Sequence, residues 1–523
     1  MTIHGPAAEP MTLVSAFDTL ARSHGDKTAI RTGDTTLTYT DLDERTAKLA
    51  NIFRSLGLDS QDSVGILMKN RSEFIVTQIA AARAGIIVVP LNSAIDKHSI
   101  ESILADANVR TLVVGPTMFD LAKEIQQTNL KSLDIIGIKD KADLPIGFHG
   151  LEELLSKADT DPPDVTVSPE DTAAIHYTGG TTGQPKGTLH THYSVLLNIY
   201  AHIQELELRP NDRQLLVTPL GHSAGRFALA GLVNGATVVL RERVDSESVL
   251  QLIEEESITW TYLIPTMISD LLEAPSVEDA DVESLQTLVY GSAPITPSRL
   301  KEGLEVFGDI FIQFYGLAEV PNIATILPKA HHRPQDEESL KSAGFPATLV
   351  EIALFSDEFD FDGQIGEVGI KAPYAVGEYL DGTSTHDSDG WIKTGDIGRI
   401  DDEGRLILLD RKQDIIITDG EPVYSTEVED VIQRHPDVHQ VAVIGIPESA
   451  HERVRMDDLT VEQSIKAVIV PEGDAEITLE ELQEYCGEQL SERIVPESLD
   501  TVGKLPETAY GKIDKRLLKE PYW

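Results

Sequence analysis

The stretch His176–Gly187, HYTGGTTGQPKG, packs four glycines, three threonines and a lysine into twelve residues. It follows the apolar run TAAIHYT (172–178), which reads as a strand. Glycine lets backbone N–H groups approach an anion closely, and threonine hydroxyls add donors. Lys186 supplies a positive charge. These are the ingredients of a phosphate cradle at the end of a strand. The P-loop of nucleoside triphosphatases is a different device, because its lysine is followed by Ser or Thr and opens a helix. Here Pro185 precedes Lys186 and Gly187 follows it. A mobile surface loop is the competing reading; the threonines, the lysine and the preceding strand weigh against it.

Outward from this loop the chain alternates strands and helices. Before it, DLDERTAKLANIFRSLG has the helical period and ends at Gly57, DSVGILM follows as a strand, RSEFIVTQIAAARAG is helical and IIVVPL is a buried strand. SIESILADAN and TLVVG repeat the theme. After it come QLLVTPL, ATVVLR, TWTYLIP, TLVYGSA and IFIQFYG, mostly ending at the Gly, Pro or Thr of a loop. Such alternation predicts an α/β fold with largely parallel sheets, whose ligand sites lie at the strand ends. From about Ala343 the strands become shorter and turn-rich (VEIALF, GEVGIKA, WIKTGDIGRI, GRLILLD), with DDEG (401–404) as a hairpin turn. This predicts a small β-barrel-like subdomain. Beyond DRKQD the pattern returns to strands and helices, predicting a small α+β domain. The expected domains are residues 1–410 and 411–523, with a short junction near 410–414. PESAHERVRMDDLTVEQS (447–464) reads as an exposed loop.

With 523 residues and 41% hydrophobic content, the chain can fill more than one core. Asp plus Glu number 87 against 43 Lys plus Arg, a net charge of −44. That field argues against nucleic acid and anionic membranes as partners. It suits a salt-rich cytoplasm, where screening quiets carboxylate repulsion, and equally an ordinary acidic protein. The single cysteine, Cys486, excludes an intrachain disulfide and reads as a structural residue on a helix. The start MTIHGPAAEP has no signal-peptide pattern, and no apolar run is long enough to span a membrane, so the expected location is the cytoplasm.

The loop extended, YTGGTTGQPKGTLHTH, resembles the signature of the adenylate-forming superfamily: acyl-CoA synthetases, adenylation domains of peptide synthetases and beetle luciferases. Other motifs follow in that family's order: TPLGHSAG (218–225), YGSAPIT (290–296), FYGLAE (314–319), GWIKTGD (390–396), DRKQDIIITDGEPVYSTEVE (410–429) and LPETAYGKIDKRLL (505–518). Together they span essentially the whole chain.

The resemblance implies an enzyme that joins a carboxylic acid to AMP, consuming ATP and releasing pyrophosphate, and then passes the acyl group to a thiol. Coenzyme A is the first expected acceptor. A stand-alone enzyme loading a carrier protein, and a catalytically weakened nucleotide-binding relative, are the alternatives. By resemblance, Thr178, Gly179, Gly180, Thr181, Thr182, Gly183 and Lys186 would hold the β- and γ-phosphates. Gly291, Ser292, Ala293 and Pro294 would wall the adenine with Tyr315 and Gly316. Glu319 would bind Mg²⁺, a hard cation suited to carboxylate oxygen. Asp396 would accept from the ribose hydroxyls and Arg411 would add contacts to ribose or phosphate. Lys512 would reach the reacting carboxylate and α-phosphate from a small mobile domain hinged near 410–414, and Gly420 would line the path of the pantetheine thiol. His222 would stand at the mouth of the acyl pocket. Arg226 could pair with a second carboxylate on the substrate, although snorkelling to solvent is the expectation we favour. The pairs His190/His192 and His331/His332 lack a supporting ligand pattern, and no transition-metal site is assigned to them. The chain departs from the family at Gly179 (usually Ser), Ala318 (Thr or Ser), Asp410 and Asp419 (Gly), Gln413 (Asp or Lys) and Tyr510 (Ser or Thr). The sequence does not read out the oligomeric state, a homodimer being the one assembly considered.

Overall fold

The computed structural model describes residues 12–128, 132–139, 143–177, 185–242, 244–355, 364–447, 461–473, 475–508 and 513–523. They form two compact units. The first comprises 1–340, 346–350 and 371–389; the second comprises 341–345, 351–370 and 390–523.

The first unit holds two largely parallel sheets. One runs in the order 149–150, 134–137, 109–114, 63–67, 87–90, 172–177 and 187–191, parallel except at the last pair. The other includes, in order, 325–327, 311–315, 287–291, 260–263, 213–216, 237–240, 28–32 and 35–38. It is antiparallel at the pair 311–315/325–327 and at the hairpin 28–32/35–38. Central strands such as Ser63–Leu67 and Thr237–Leu240 are buried at every position, which is why they read as unbroken apolar runs. The helices Ser72–Arg83 and Ser223–Val233 touch each other and are buried almost all round, Glu73 being the one exception. A helix without a polar face belongs to an interior, and these two lie in the core of the unit.

The second unit contains a four-stranded antiparallel sheet (351–355, 365–371, 392–400, 406–411) and a three-stranded sheet (438–447, 463–471, 498–501) with helices Ser425–Ile432 and Leu479–Gly487. The turn at 401–405 joins strands 392–400 and 406–411 as a hairpin, with Gly404 at φ 85°. Asp401 Oδ1 accepts from the Glu403 and Arg405 amides, 3.0 and 2.8 Å away. Cys486 is buried in its helix, and burial pushes the thiol up to about 11. The four-stranded sheet, expected in the large domain, packs with the C-terminal residues. Asp410 and the Leu409 carbonyl, on its last strand, bond directly to the start of helix Ser425–Ile432. Most of the loop expected over 447–464 lies outside the described residues, but the strand Gln463–Pro471 takes its last two positions. Among the described residues no helix is long and apolar enough to cross a membrane.

Candidate functional site

In the second sheet the strand Arg213–Leu216 has parallel neighbours on both sides, Thr237–Leu240 and Trp260–Leu263. The chain goes first to one side and then crosses back to the other. Such a reversal marks the strand's carboxyl end as the place where open α/β sheets bind ligands. The strand leads into the segment 217–222 and then into helix Ser223–Val233. Asn70, at the matching end of the first sheet, holds this segment in place. Its Nδ2 donates to the Thr218 and Arg241 carbonyls at 2.8 and 3.0 Å, and its Oδ1 accepts from the Leu220 amide at 2.9 Å.

His222 is the N-cap of that helix and is exposed, with its Nδ1 3.1 Å from Ser223 Oγ. Gly291 and Tyr315 end neighbouring parallel strands, with Gly291 opposite Phe314. Ser292 takes φ 68° and sets its hydroxyl 3.2 Å from that of Tyr262, whose own pKa burial lifts to about 12. A Cβ on Gly316 would lie 2.6 Å from the Asn322 carbonyl carbon, so the close chain approach there requires glycine. Ser292, Ala293, Tyr315 and Gly316 are half-buried, while Pro294 is exposed. The four predicted adenine-side positions 291–294 thus run from the end of one strand, beside Tyr315 and Gly316 at the end of the next.

Residues 178–184 lie outside the described residues. Their stems are strands Thr172–Tyr177 and Gly187–Thr191, antiparallel with Tyr177 opposite Gly187. Exposed Lys186 places Nζ 5.1 Å from the Tyr379 ring centroid. The Tyr379 hydroxyl donates to Glu319 Oε1 at 2.6 Å. Burial, and then this bond to the Glu319 carboxylate, push the phenol pKa up. Backbone bonds fix the same arrangement, Leu380 N to Gly187 O and Val376 N to Glu319 O, both 2.8 Å. Tyr379 therefore joins the stem of the glycine loop to Glu319. Sequence reasoning missed it, because a tyrosine in the turn EYLDGT carries no chemical signature of its own.

In the second unit, Asp396 and Arg411 face each other across two strands, and Arg411 Nε lies 3.0 Å from Asp396 Oδ1. Asp396 is largely buried. Asp419 and Gly420 form the turn of the hairpin 416–418/421–423 with φ 53° and 74°. Two consecutive positive φ values suit Asp-Gly, which explains an aspartate beside Gly420. Asp410 is also explained: its Oδ2 accepts from Ser425 N and Oγ, both at 2.6 Å, and its Oδ1 accepts from Arg411 N at 2.7 Å. Lys515 Nζ completes the network, 2.6 Å from Ser425 Oγ and 2.7 Å from Glu429. Gln413 lies in the 3-10 turn Lys412–Asp414 and its carbonyl accepts from buried Lys519 Nζ at 2.9 Å. Lys512 and Tyr510 lie outside the described residues.

Residues 17–380 match the family profile described as AMP-binding enzyme, and 427–512 match the AMP-binding enzyme C-terminal domain. The chain belongs to the AMP-binding enzyme family. As an AMP-binding enzyme it is 32% identical to the medium/long-chain-fatty-acid–CoA ligase FadD8 of Mycobacterium tuberculosis, over 96% of this chain and 88% of that protein. It is also 32% identical to a feruloyl-CoA synthase of an Amycolatopsis species, over 95% and 96% of the two chains. Among solved structures it resembles the amide bond synthetase McbA from Marinactinospora thermotolerans, with TM-score 0.85, 26% identity and coverage of 98% and 100%. The anthranilate CoA ligase AuaEII, in complex with anthranoyl-AMP, shares the fold at TM-score 0.86 and 24% identity, covering 98% of both chains.

One expectation for this AMP-binding enzyme fails. Arg226 does not snorkel to solvent. It sits in the first turn of a helix buried on all its faces and is only 6% exposed. Its charge acts on His176, His190 and His202, all held neutral far below the usual imidazole range, chiefly by burial. Burial also draws the guanidinium down, to about 10, so it stays charged at neutral pH. Thr188 Oγ1 donates to the His176 carbonyl at 2.7 Å and so accepts from His190 Nε2 at 3.0 Å, which fixes the His190 tautomer.

Proposed function

We propose that the chain is an ATP-dependent acid–thiol ligase. A substrate carboxylate oxygen attacks the α-phosphorus of ATP and pyrophosphate leaves. The thiol sulfur of coenzyme A then attacks the acyl carbon and AMP leaves. A free carboxylate is a poor acyl donor, and the mixed anhydride supplies the leaving group it lacks. Because the first step gathers anions, its catalysis is chiefly positioning and electrostatics.

The observation that carries this reading is the link from Lys186 through Tyr379 to Glu319. It couples the glycine loop to a carboxylate at the end of a neighbouring segment. Glu319 fits a magnesium site: Oε1 accepts from Tyr379, and no described residue bonds Oε2, which leaves an oxygen for a hard cation. Magnesium there would neutralise phosphate charge. Residues 178–183 would cradle the β- and γ-phosphates, and positions 291–294 with Tyr315 and Gly316 would hold adenine. In the second unit Asp396 would take the ribose hydroxyls. Its pairing with Arg411 orients the carboxylate for that purpose. Lys512 would neutralise charge between the two reacting anions. His222 would edge the acyl entrance, Gly420 would border the thiol path, and the small domain would turn about 410–414.

FadD8, feruloyl-CoA synthase and the 2-succinylbenzoate–CoA ligase of Bacillus licheniformis (31% identical) are all named as forming CoA thioesters. This favours coenzyme A. A carrier-protein acceptor is the second reading, supported by 28% identity to the fatty acid–[acyl-carrier-protein] ligase ScoC of Streptomyces coeruleorubidus. The deciding variant is Lys512→Ala. Adenylate formation should nearly vanish, while thioester formation from supplied acyl-adenylate largely survives. Equal loss of both half-reactions would count against the assignment.

A further inference from the structure

Five cations are buried among the described residues: Arg83, Arg226, Arg405, Lys466 and Lys519. Four have carboxylate partners. Arg83 reaches Asp18 and Asp43, Arg405 reaches Asp401, Lys466 reaches Asp500, and Lys519 reaches Asp414. Arg226 has no ion pair or hydrogen bond to a described residue, and its Nη2 is fully buried without a partner. Its surroundings make matters worse. His176, His190 and His202 are electrostatic neighbours that cannot neutralise it. It also sits in the first turn of helix Ser223–Val233, where the helix dipole is itself positive. A buried, uncompensated charge opposes folding strongly, so a chain that pairs its other buried cations has a reason to leave this one open. Arg226 follows His222 by one helical turn and shares a face with Ser223, on the helix that follows strand Arg213–Leu216 at the switch point of the second sheet.

We propose that Arg226 binds a second carboxylate on the acid substrate, so that the enzyme selects dicarboxylic acids. This rests on the acid-activating function proposed for the chain. The guanidinium offers a planar fork that matches a carboxylate in a two-point bond. The neutral ring of His190, tautomer fixed by Thr188, leaves a lone pair that accepts hydrogen bonds but adds no competing anion. Phe227, the next residue, packs in the core against Tyr262 and Phe314 at centroid distances of 4.7 and 5.5 Å, which anchors the helix that carries Arg226.

The test compares each straight-chain or aromatic dicarboxylic acid with its monocarboxylic counterpart of equal length, using the full chain with Mg-ATP and following AMP release. The wild type should prefer the best diacid over its counterpart by about tenfold or more in kcat/KM. Arg226→Met should reverse that order, and should not lower the melting temperature, because it removes an unpaired buried charge. A wild type that uses monoacids as well as or better than diacids at every length overturns the proposal without any variant. So does an Arg226→Met enzyme that loses both acids alike, since Arg226 would then serve the nucleotide or the scaffold. Calorimetric titration with the diacid alone separates this idea from the ligase function beneath it. Binding that Arg226→Met abolishes, with no AMP formed from any acid, upholds the anion site and defeats the ligase function. Neither binding nor turnover defeats both.

Discussion

Tyr379 stands between two residues whose chemistry is plain, a lysine from a phosphate-type loop and a carboxylate. Its ring underlies Lys186 and its hydroxyl restrains Glu319. Tyr379→Phe keeps the ring and removes one hydrogen bond to a charged acceptor, a change of about 1.5–3 kcal/mol. Acid-dependent AMP formation should fall roughly tenfold or more, by that figure, and the half-saturating Mg²⁺ concentration should rise. An unchanged magnesium titration would mean that Tyr379 only packs. Lys186 and Glu319 stand out in the sequence because each lies within a run of residues with recognisable chemistry. Tyr379 and Asn70 do not, since their partners are 60 and about 150 positions away. Arg226 was misjudged for a different reason: snorkelling needs a helix with a wet side, and all eleven residues of Ser223–Val233 are buried.

Elements were more legible than partners. Parallel strands buried on both faces announce themselves as apolar runs, and all the strands named from residue 172 to 315 were found. Elements without such runs escaped notice. The hairpin 28–32/35–38 is threonine-rich, and the edge strand Ser498–Thr501 is half-exposed and polar. The four-stranded sheet is joined to helix Ser425–Ile432 through Asp410, which departs from the family pattern, and through the Leu409 carbonyl, which accepts from Thr426 Oγ1. Asp410 accepts from the first amide of helix Ser425–Ile432, where an anion also meets the positive end of the helix. Asp410→Ala leaves the Ser425 amide and hydroxyl without that acceptor and removes the carboxylate facing Lys515, costing about 2 kcal/mol. Calorimetry should show the second unit melting earlier, and Asp410→Asn should recover part of the loss. Equal melting of wild type and Asp410→Ala would show that the network contributes nothing.

Over the whole molecule the charge balance sets the solution behaviour. A net charge of −44 makes the folded chain repel itself, and added salt shortens the range of that repulsion. The melting temperature should climb with KCl, most steeply at the lowest concentrations, and a flat response would dismiss charge repulsion as a limit on stability. The function, too, belongs to the whole chain, because the nucleotide residues proposed here are divided between 178–319 in one unit and 396–420 with Lys512 in the other. The most direct check is AMP itself, measured with purified full-length protein, Mg-ATP and a broad panel of carboxylic acids. At least one acid should drive release of AMP and pyrophosphate, with coenzyme A taken up as thioester in step. No ATP binding, and no AMP with any acid, would contradict the account.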